Sequence, residues 1–188
     1  LELPLLVVLD EAYIEFAGEK LGAGLSRIQE VPVRENLVVL RTFSKWAGLA
    51  GLRVGYGAFP SWLMPILWKS KQPYNVNVAG SIAAQISLEH VNELRTVVEQ
   101  LIAERTRLFS ALQEIPYLKP YPTQSNFILC QVRGRDASDL KRRLAENYGI
   151  FIRYFNKPGL HDHIRISVGR PQDTDALLAA LKADSNAA

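Results

Sequence analysis

An α/β fold followed by a smaller α+β lobe is predicted for this 188-residue chain, and three features carry the prediction. Short, continuous apolar runs recur in the first 60 residues, each of strand length and each bounded by polar or glycine-containing stretches. Such runs read as strands buried on both faces, as in a parallel sheet covered by helices. Two segments with helical periodicity follow them. Beyond residue 116 the pattern changes to short strands and helices in alternation.

The strand-like segments are 5–9 (LLVVL), 37–40 (LVVL) and 52–59, the last carrying Gly55 and Gly57. Together they predict the central sheet of an α/β domain. Pro60 then precedes SWLMPILWKS, a helix start interrupted at Pro65. Residues 78–89 read as a helix and 91–114 as a longer amphipathic one. In the latter, Leu94, Val97, Val98, Leu101, Ile102, Leu108 and Leu112 keep mostly helical spacing. A Pro/Tyr-rich turn region at 116–122 separates this helix from a strand at 127–132 and a helix at 137–147 that ends before Gly149. Two further strands, 150–154 and 163–168, and a closing helix at 173–183 complete the lobe. The domain boundary is placed at 90/91, with residues 1–90 in the larger domain and 91–188 forming a linking helix and the small one.

Hydrophobic residues make up 48% and charged residues 22%, the balance of an ordinary globular protein. No apolar run approaches the about 20 residues of a membrane helix, so a soluble protein with no membrane partner is expected. The net charge of +3 comes from Lys and Arg scattered among Asp and Glu, which argues against a nucleic-acid partner. Cys130 is the only cysteine, excluding an internal disulfide and fitting a reducing compartment. His161 and His163 form an H-x-H with no evident third ligand, so no metal is expected. No signal peptide is read, and the cytoplasm is the default compartment. The chain opens on Leu1 and reaches a strand within a few residues, from which an upstream segment is expected.

The chemistry concentrates in 41–57, RTFSKWAGLAGLRVGYG. Lys45 follows a buried strand, with hydroxyls at Thr42 and Ser44 beside it and Arg53 eight residues further on. A partly desolvated lysine near other cations spends time unprotonated and serves as a nucleophilic amine. Hydroxyl donors and a guanidinium suit a phosphate dianion, which the guanidinium grips in a fork. Asp10 ends the first strand, where ligands of open α/β sheets bind, although taken alone it reads first as a helix cap. Tyr13 adds a phenol that as a lone aromatic reads first as packing.

The strings VLDEAY (8–13), S-K-x7-GLRVGY (44–56) and IRISVG (164–169) resemble fold-type-I pyridoxal-phosphate aminotransferases, and within them the histidinol-phosphate aminotransferase branch. The resemblance implies the large cofactor-binding domain of that fold plus its small C-terminal lobe. It implies Lys45 as the Schiff-base lysine and proton shuttle, Asp10 on the pyridinium nitrogen, and Tyr13 on the ring O3′. Thr42, Ser44 and Arg53 would hold the cofactor phosphate. Arg165 would grip a substrate carboxylate or phosphate, Arg153 a phosphate, and Asn126 would lie close to the substrate. The implied reaction exchanges an amino group between L-glutamate and imidazole-acetol phosphate, giving 2-oxoglutarate and L-histidinol phosphate, in a homodimer. An aromatic-amino-acid aminotransferase, a threonine-phosphate decarboxylase and a non-catalytic folded remnant stay open beside it, as does a plastid origin. Members of this family carry a preceding half with a glycine-containing phosphate turn, an aromatic ring stacked on the cofactor and an Asn near O3′. Those parts are not in this sequence, so weak cofactor binding is expected of the chain alone.

Overall fold

The structure, a computed structural model, describes residues 4–18 and 24–186. The chain divides into two compact units, residues 1–98 and 99–188. The division falls inside a helix, whereas the sequence pattern places a boundary at that helix's start. The opening residue and the polar-small tail beyond Asn186 lie outside the described residues.

In the first unit, β1 (Val7–Asp10), β2 (Leu37–Thr42) and β3 (Gly55–Ala58) form a sheet in that order. β1 and β2 run parallel, with Val7 opposite Leu37 and Asp10 opposite Leu40. β3 returns antiparallel, with Arg41 opposite Tyr56 and Thr42 opposite Gly55. Its connection folds back through a short 3-10 turn at Ala50–Leu52, and without a crossover helix the next strand must reverse direction. Burial on both faces holds for β2, where Leu37, Val38 and Val39 are all enclosed. It does not hold for β1, which alternates: Val8 is 52% exposed while Val7 and Leu9 pack against Leu37, Val39 and Val31. β1 stands at the end of the strand order, so only its inward residues meet the core.

A 3-10 turn at Ser61–Leu63 leads into α1 (Met64–Ser70). Pro65 sits in the first turn of α1, where a missing N–H costs nothing, so it starts the helix instead of interrupting it. α2 (Val78–Glu89) is capped by Asn77, whose side chain accepts the Gly80 N–H at 2.7 Å. α3 (Val91–Gln113) begins directly after His90.

The second unit is built on β4 (Leu118–Pro120), β5 (Phe127–Val132), β6 (Arg153–Tyr154) and β7 (His163–Ser167). They lie in the order β4-β5-β7-β6, every neighbouring pair antiparallel. α4 (Ala137–Tyr148) and α5 (Pro171–Asn186) supply its helices. Ile128, Cys130, Val132, Ile164 and Ile166 present one sheet face to Leu108, Leu112, Leu140, Leu144 and Leu181. Burial in this core pushes the Cys130 thiol up to about 12, which makes it inert. Asp136 caps α4 by accepting the Asp139 N–H, and Gly149 ends it in the left-handed region that a side chain would resist. β4 lies inside the Pro/Tyr-rich region, and β6 keeps only two residues of the expected strand at 150–154.

α5 is fastened by polar bonds. The Tyr117 hydroxyl donates to the Leu181 carbonyl at 2.9 Å, and the buried Asp184 carboxylate accepts from Arg135 at 2.9 Å and from Arg143 at 2.7 and 3.1 Å. Removing one partner from such a pair leaves the other charges without compensation. Asp184→Ala is therefore expected to destabilise the protein by about 2–3 kcal/mol in urea unfolding. A loss within about 0.5 kcal/mol, typical of a surface change, would show that this network fastens nothing.

Candidate functional site

Parallel neighbours deliver the chain to the same end of a sheet, so whatever follows β1 and β2 converges. Asp10 is the last residue of β1, and one carboxylate oxygen accepts the Ala12 N–H at 3.0 Å. Its other oxygen has no partner among the described residues. Tyr13 lies in the turn that follows. Thr42 is the last residue of β2, and its hydroxyl donates to the Val54 carbonyl at 3.3 Å while accepting the Ser44 N–H at 3.0 Å. The loop it opens closes on itself through Phe43 N–H to Val54 and Leu49 N–H to Phe43, both at 3.1 Å. The buried rings of Phe43 and Trp46, 5.6 Å apart, anchor the segment between them.

Lys45 rides on that anchored segment. Its ammonium lies 5.4 Å from the centroid of the Tyr13 ring and makes no hydrogen bond or ion pair among the described residues. Arg53 closes the loop at φ 57°, the only non-glycine residue with positive φ among the described residues. That conformation costs about 1–2 kcal/mol and marks a place where geometry is held for a purpose. The Arg53 guanidinium makes one bond, to the Ala50 carbonyl at 3.0 Å, and is otherwise open to solvent. Asp10, Tyr13, Thr42, Ser44, Lys45 and Arg53 thus share one end of the sheet. Thr42 spends its hydroxyl proton on the turn, which leaves Ser44 and Arg53 as the open donors.

Two supports of this site escape the sequence pattern. Asn77 donates its side-chain N–H to the Leu52 carbonyl at 2.9 Å, bracing the residue before Arg53. The α2 backbone comes so close there that a Cβ on Gly80 would meet Val54 Cγ2 at 2.6 Å. The other support is charged. Glu11, Glu15 and Arg41 lie together behind the site, with Glu11 accepting from Arg41, Ser26 and the Arg27 N–H. Burial pushes the Glu15 carboxyl above its ordinary value, against the opposing pull of a backbone hydrogen bond and of Arg41. Burial works to lower the Arg41 pKa, yet the bonds to Tyr56 and Glu11 and the charge of Glu15 raise it on balance. Side chains alternate along a strand, so Asp10 turning outward sends Glu11 inward, a signal available in the DE pair itself.

In the second unit, Asn126 precedes β5 and its carbonyl accepts the Val168 N–H at 2.9 Å. Arg165, on β7, stands opposite Leu129 on one side and Arg153 of β6 on the other. Its neighbours Ile164 and Ile166 enter the core, so Arg165 faces the other way. The Arg165 guanidinium lies 5.0 Å from the Phe127 ring centroid, and its Nε is buried without a hydrogen-bond partner among the described residues. Two like charges face each other across strands.

The first-unit sheet end carries an amine unpaired among the described residues and a flanking carboxylate, and the second unit carries two facing arginines. The "Aminotransferase class I and II" family profile matches residues 2–181, and the chain belongs to that family. It is 54% identical over 183 residues to histidinol-phosphate aminotransferase 1, chloroplastic, of Arabidopsis thaliana, covering 97% of this chain and 42% of that protein. Histidinol-phosphate aminotransferase of Roseiflexus castenholzii is 51% identical, covering 97% of this chain and 48% of that protein. The chain spans about half the length of the curated relatives it matches. Among solved structures, histidinol-phosphate aminotransferase from Sinorhizobium meliloti in complex with pyridoxal-5'-phosphate superposes with a TM-score of 0.82 at 32% identity, covering 97% of this chain and 50% of that one. L-threonine-O-3-phosphate decarboxylase from Porphyromonas gingivalis does so with a TM-score of 0.85 at 26% identity, covering 95% and 55%.

The Glu15 shift has a pH consequence. A carboxyl whose folded pKa is raised contributes stability in full below its ordinary value of 4.5 and loses it as pH rises through the folded value. Glu15→Gln cannot ionise, so its stability relative to the unsubstituted protein is expected to grow with pH above that value and stay level below it. Urea unfolding between about pH 4 and pH 8 measures this, and a difference independent of pH would contradict it.

Proposed function

We propose that this chain is the lysine-bearing portion of a pyridoxal-phosphate-dependent histidinol-phosphate aminotransferase. It exchanges an amino group between L-glutamate and imidazole-acetol phosphate, within a homodimer and in the cytoplasm. One observation carries the reading: the Lys45 amine, without a hydrogen-bond acceptor among the described residues, lies over the Tyr13 ring at the same sheet end as the Asp10 carboxylate. The identity of 51–54% to enzymes of that name supports the substrate assignment. Among the described residues no helix is long and apolar enough to cross a membrane.

The donors present fit a planar phosphorylated aldehyde. Among the described residues, Lys45 Nζ is unpaired, one Asp10 oxygen is open, and the Ser44 hydroxyl and Arg53 guanidinium are available for a phosphate. When bound, pyridoxal phosphate supplies an electron-withdrawing heterocycle that stabilises negative charge on the substrate carbon. Lys45 would bind it through Nζ and would move a proton with the same atom. Asp10 would hold the ring nitrogen in its protonated form, and the Tyr13 phenol would hydrogen-bond the ring oxygen. Ser44 and Arg53 hold the phosphate, with Thr42 fixing the turn from which they act. In the second unit, Arg153 and Arg165 bind the substrate's anionic groups and Asn126 orients it.

Incubation of the protein at its native length with pyridoxal phosphate, followed by borohydride reduction and peptide mass analysis, is expected to place the adduct on Lys45 alone. Lys45→Ala should abolish both the adduct and amino transfer from histidinol phosphate. An adduct spread over other lysines, or none at all, would remove the basis of the reading.

Arg165→Ala is expected to raise KM for histidinol phosphate by about ten- to a hundredfold, the worth of a charge-assisted hydrogen bond, with a smaller change in kcat. Parallel assays with phenylalanine and threonine phosphate separate the related activities. Faster turnover of either would reassign the substrate.

A further inference from the structure

The cluster of Glu11, Arg41 and Glu15 takes no part in the proposed chemistry, yet it borders the turns that carry Asp10 and Lys45. Glu11 follows Asp10 at the end of β1, and Arg41 precedes Thr42 at the end of β2. The Glu11 carboxylate, 7% exposed, accepts the Arg27 N–H at 2.8 Å on one oxygen. Its other oxygen accepts the Ser26 hydroxyl at 2.7 Å and both Nε and Nη2 of Arg41, at 3.1 and 3.0 Å. Arg41 extends Nη1 to Glu15 at 3.7 Å, and the second Glu15 oxygen is buried without a partner among the described residues. Tyr56 stands opposite Arg41 on β3.

A buried ion pair is a poor source of net stability, because desolvating two charges offsets most of their attraction. What it supplies is orientation. The planar guanidinium holds its partners in a fixed fork, which a flexible ammonium does not do. The two residues it ties together here sit on the turns that carry Asp10 and Tyr13 on one side and Ser44 and Lys45 on the other. We infer that Glu11 and Arg41 are positioning residues, a pair that locks the turn at 10–13 to the turn at 42–45 and so holds the Lys45 amine over the Tyr13 ring beside Asp10. The use of that placement rests on the aminotransferase reading; the lock itself is a property of this chain's own contacts.

The test reads Lys45 directly, without cofactor. The protein is acylated with a trace of an amine-reactive ester, and the initial rate at Lys45 is divided by the mean rate at the exposed Lys69 and Lys141, by peptide mass analysis. In the unsubstituted protein the half-buried Lys45 should give a ratio severalfold away from one. Arg41→Lys keeps both charges but loses the fork, and Glu11→Gln keeps the shape but loses the charge. Both are expected to move the ratio severalfold toward one. Glu30→Gln breaks the exposed pairs to Arg27 and Arg34 in the same unit and should leave the ratio unchanged.

Circular dichroism and thermal unfolding establish that each variant folds. A ratio already near one in the unsubstituted protein, a ratio unmoved in Arg41→Lys, or an equal shift in Glu30→Gln overturns the inference. So does failure of both Glu11→Gln and Arg41→Lys to fold, since the pair would then be a stability element. The unsubstituted protein at its native length is titrated with pyridoxal phosphate alongside. Absence of binding sinks the aminotransferase reading and leaves the lock standing, while normal binding with an unmoved ratio sinks the lock alone.

Discussion

The parallel register of β1 and β2 is the constraint on which the rest of the first unit depends. Asp10 lies opposite Leu40, and the Glu11 N–H donates to the Leu40 carbonyl at 2.9 Å, so the ladder runs to the last residue before the turn. A slip of one residue would turn Asp10 inward and Glu11 outward, exchanging the carboxylate that meets solvent with the one that meets Arg41. The slip is opposed by packing, since Leu37 and Val39 are enclosed with Val31 while Val7 and Leu9 close over them. Apolar contacts at one end of the ladder therefore decide which charge emerges at the other. The outward placement of Asp10 is thus set by residues at the far end of the ladder.

Around this frame the unit sorts its charges into two populations. Glu11 and Glu15 are buried, Arg41 is largely enclosed, and the three are paired with one another or with backbone. Asp10 and Arg53 are exposed, and Lys45 is half-buried with no acceptor among the described residues. Paired buried charges fix geometry, whereas unpaired charges at a strand end remain available to a ligand. Arg53 adds strain to this list, and strain persists only where surrounding contacts hold it. The Asn77 bond to Leu52 and the close approach of Gly80 to Val54 are those contacts. The start of α2 thus serves the site as a brace, though none of its residues carries chemistry.

The sequence shows clearly what depends on local pattern. α2 and β5 begin and end at the residues their periodicity marks, and Lys45 stands out because hydroxyls, glycines and an arginine accompany it in one string. What depends on partners distant in sequence is hidden. The reversal of β3 follows from how the 43–54 loop closes, and β4 is three residues long with a proline at its end, too short for any period to register. The uneven burial of β1 reflects its place in the strand order, which composition does not encode. Glu11 and Arg41 are thirty residues apart, and only the fold brings them within 3.1 Å. The alternation of Asp10 and Glu11 was the one local hint of that pair, overshadowed by the ligand-facing role of its neighbour.

The second unit makes a complementary case from repulsion. Arg153 and Arg165 stand directly opposite on adjacent strands, an arrangement of like charges that costs about 0.2–1 kcal/mol. Nothing in the ladder requires it, because the core face of the same strands is already satisfied by Ile164 and Ile166. The Phe127 ring beside Arg165 offsets part of the cost through its electron-rich face, but it cannot neutralise two guanidiniums. An anion placed between them would reverse the sign of the interaction and give the orphaned Arg165 Nε a context in which its orientation matters. A phosphate carries up to two negative charges and three acceptor oxygens, enough to meet two forks at once. The sheet is thus apolar on one face for stability, while on the other two arginines are held together at a small energetic penalty that only a neighbouring anion would reverse.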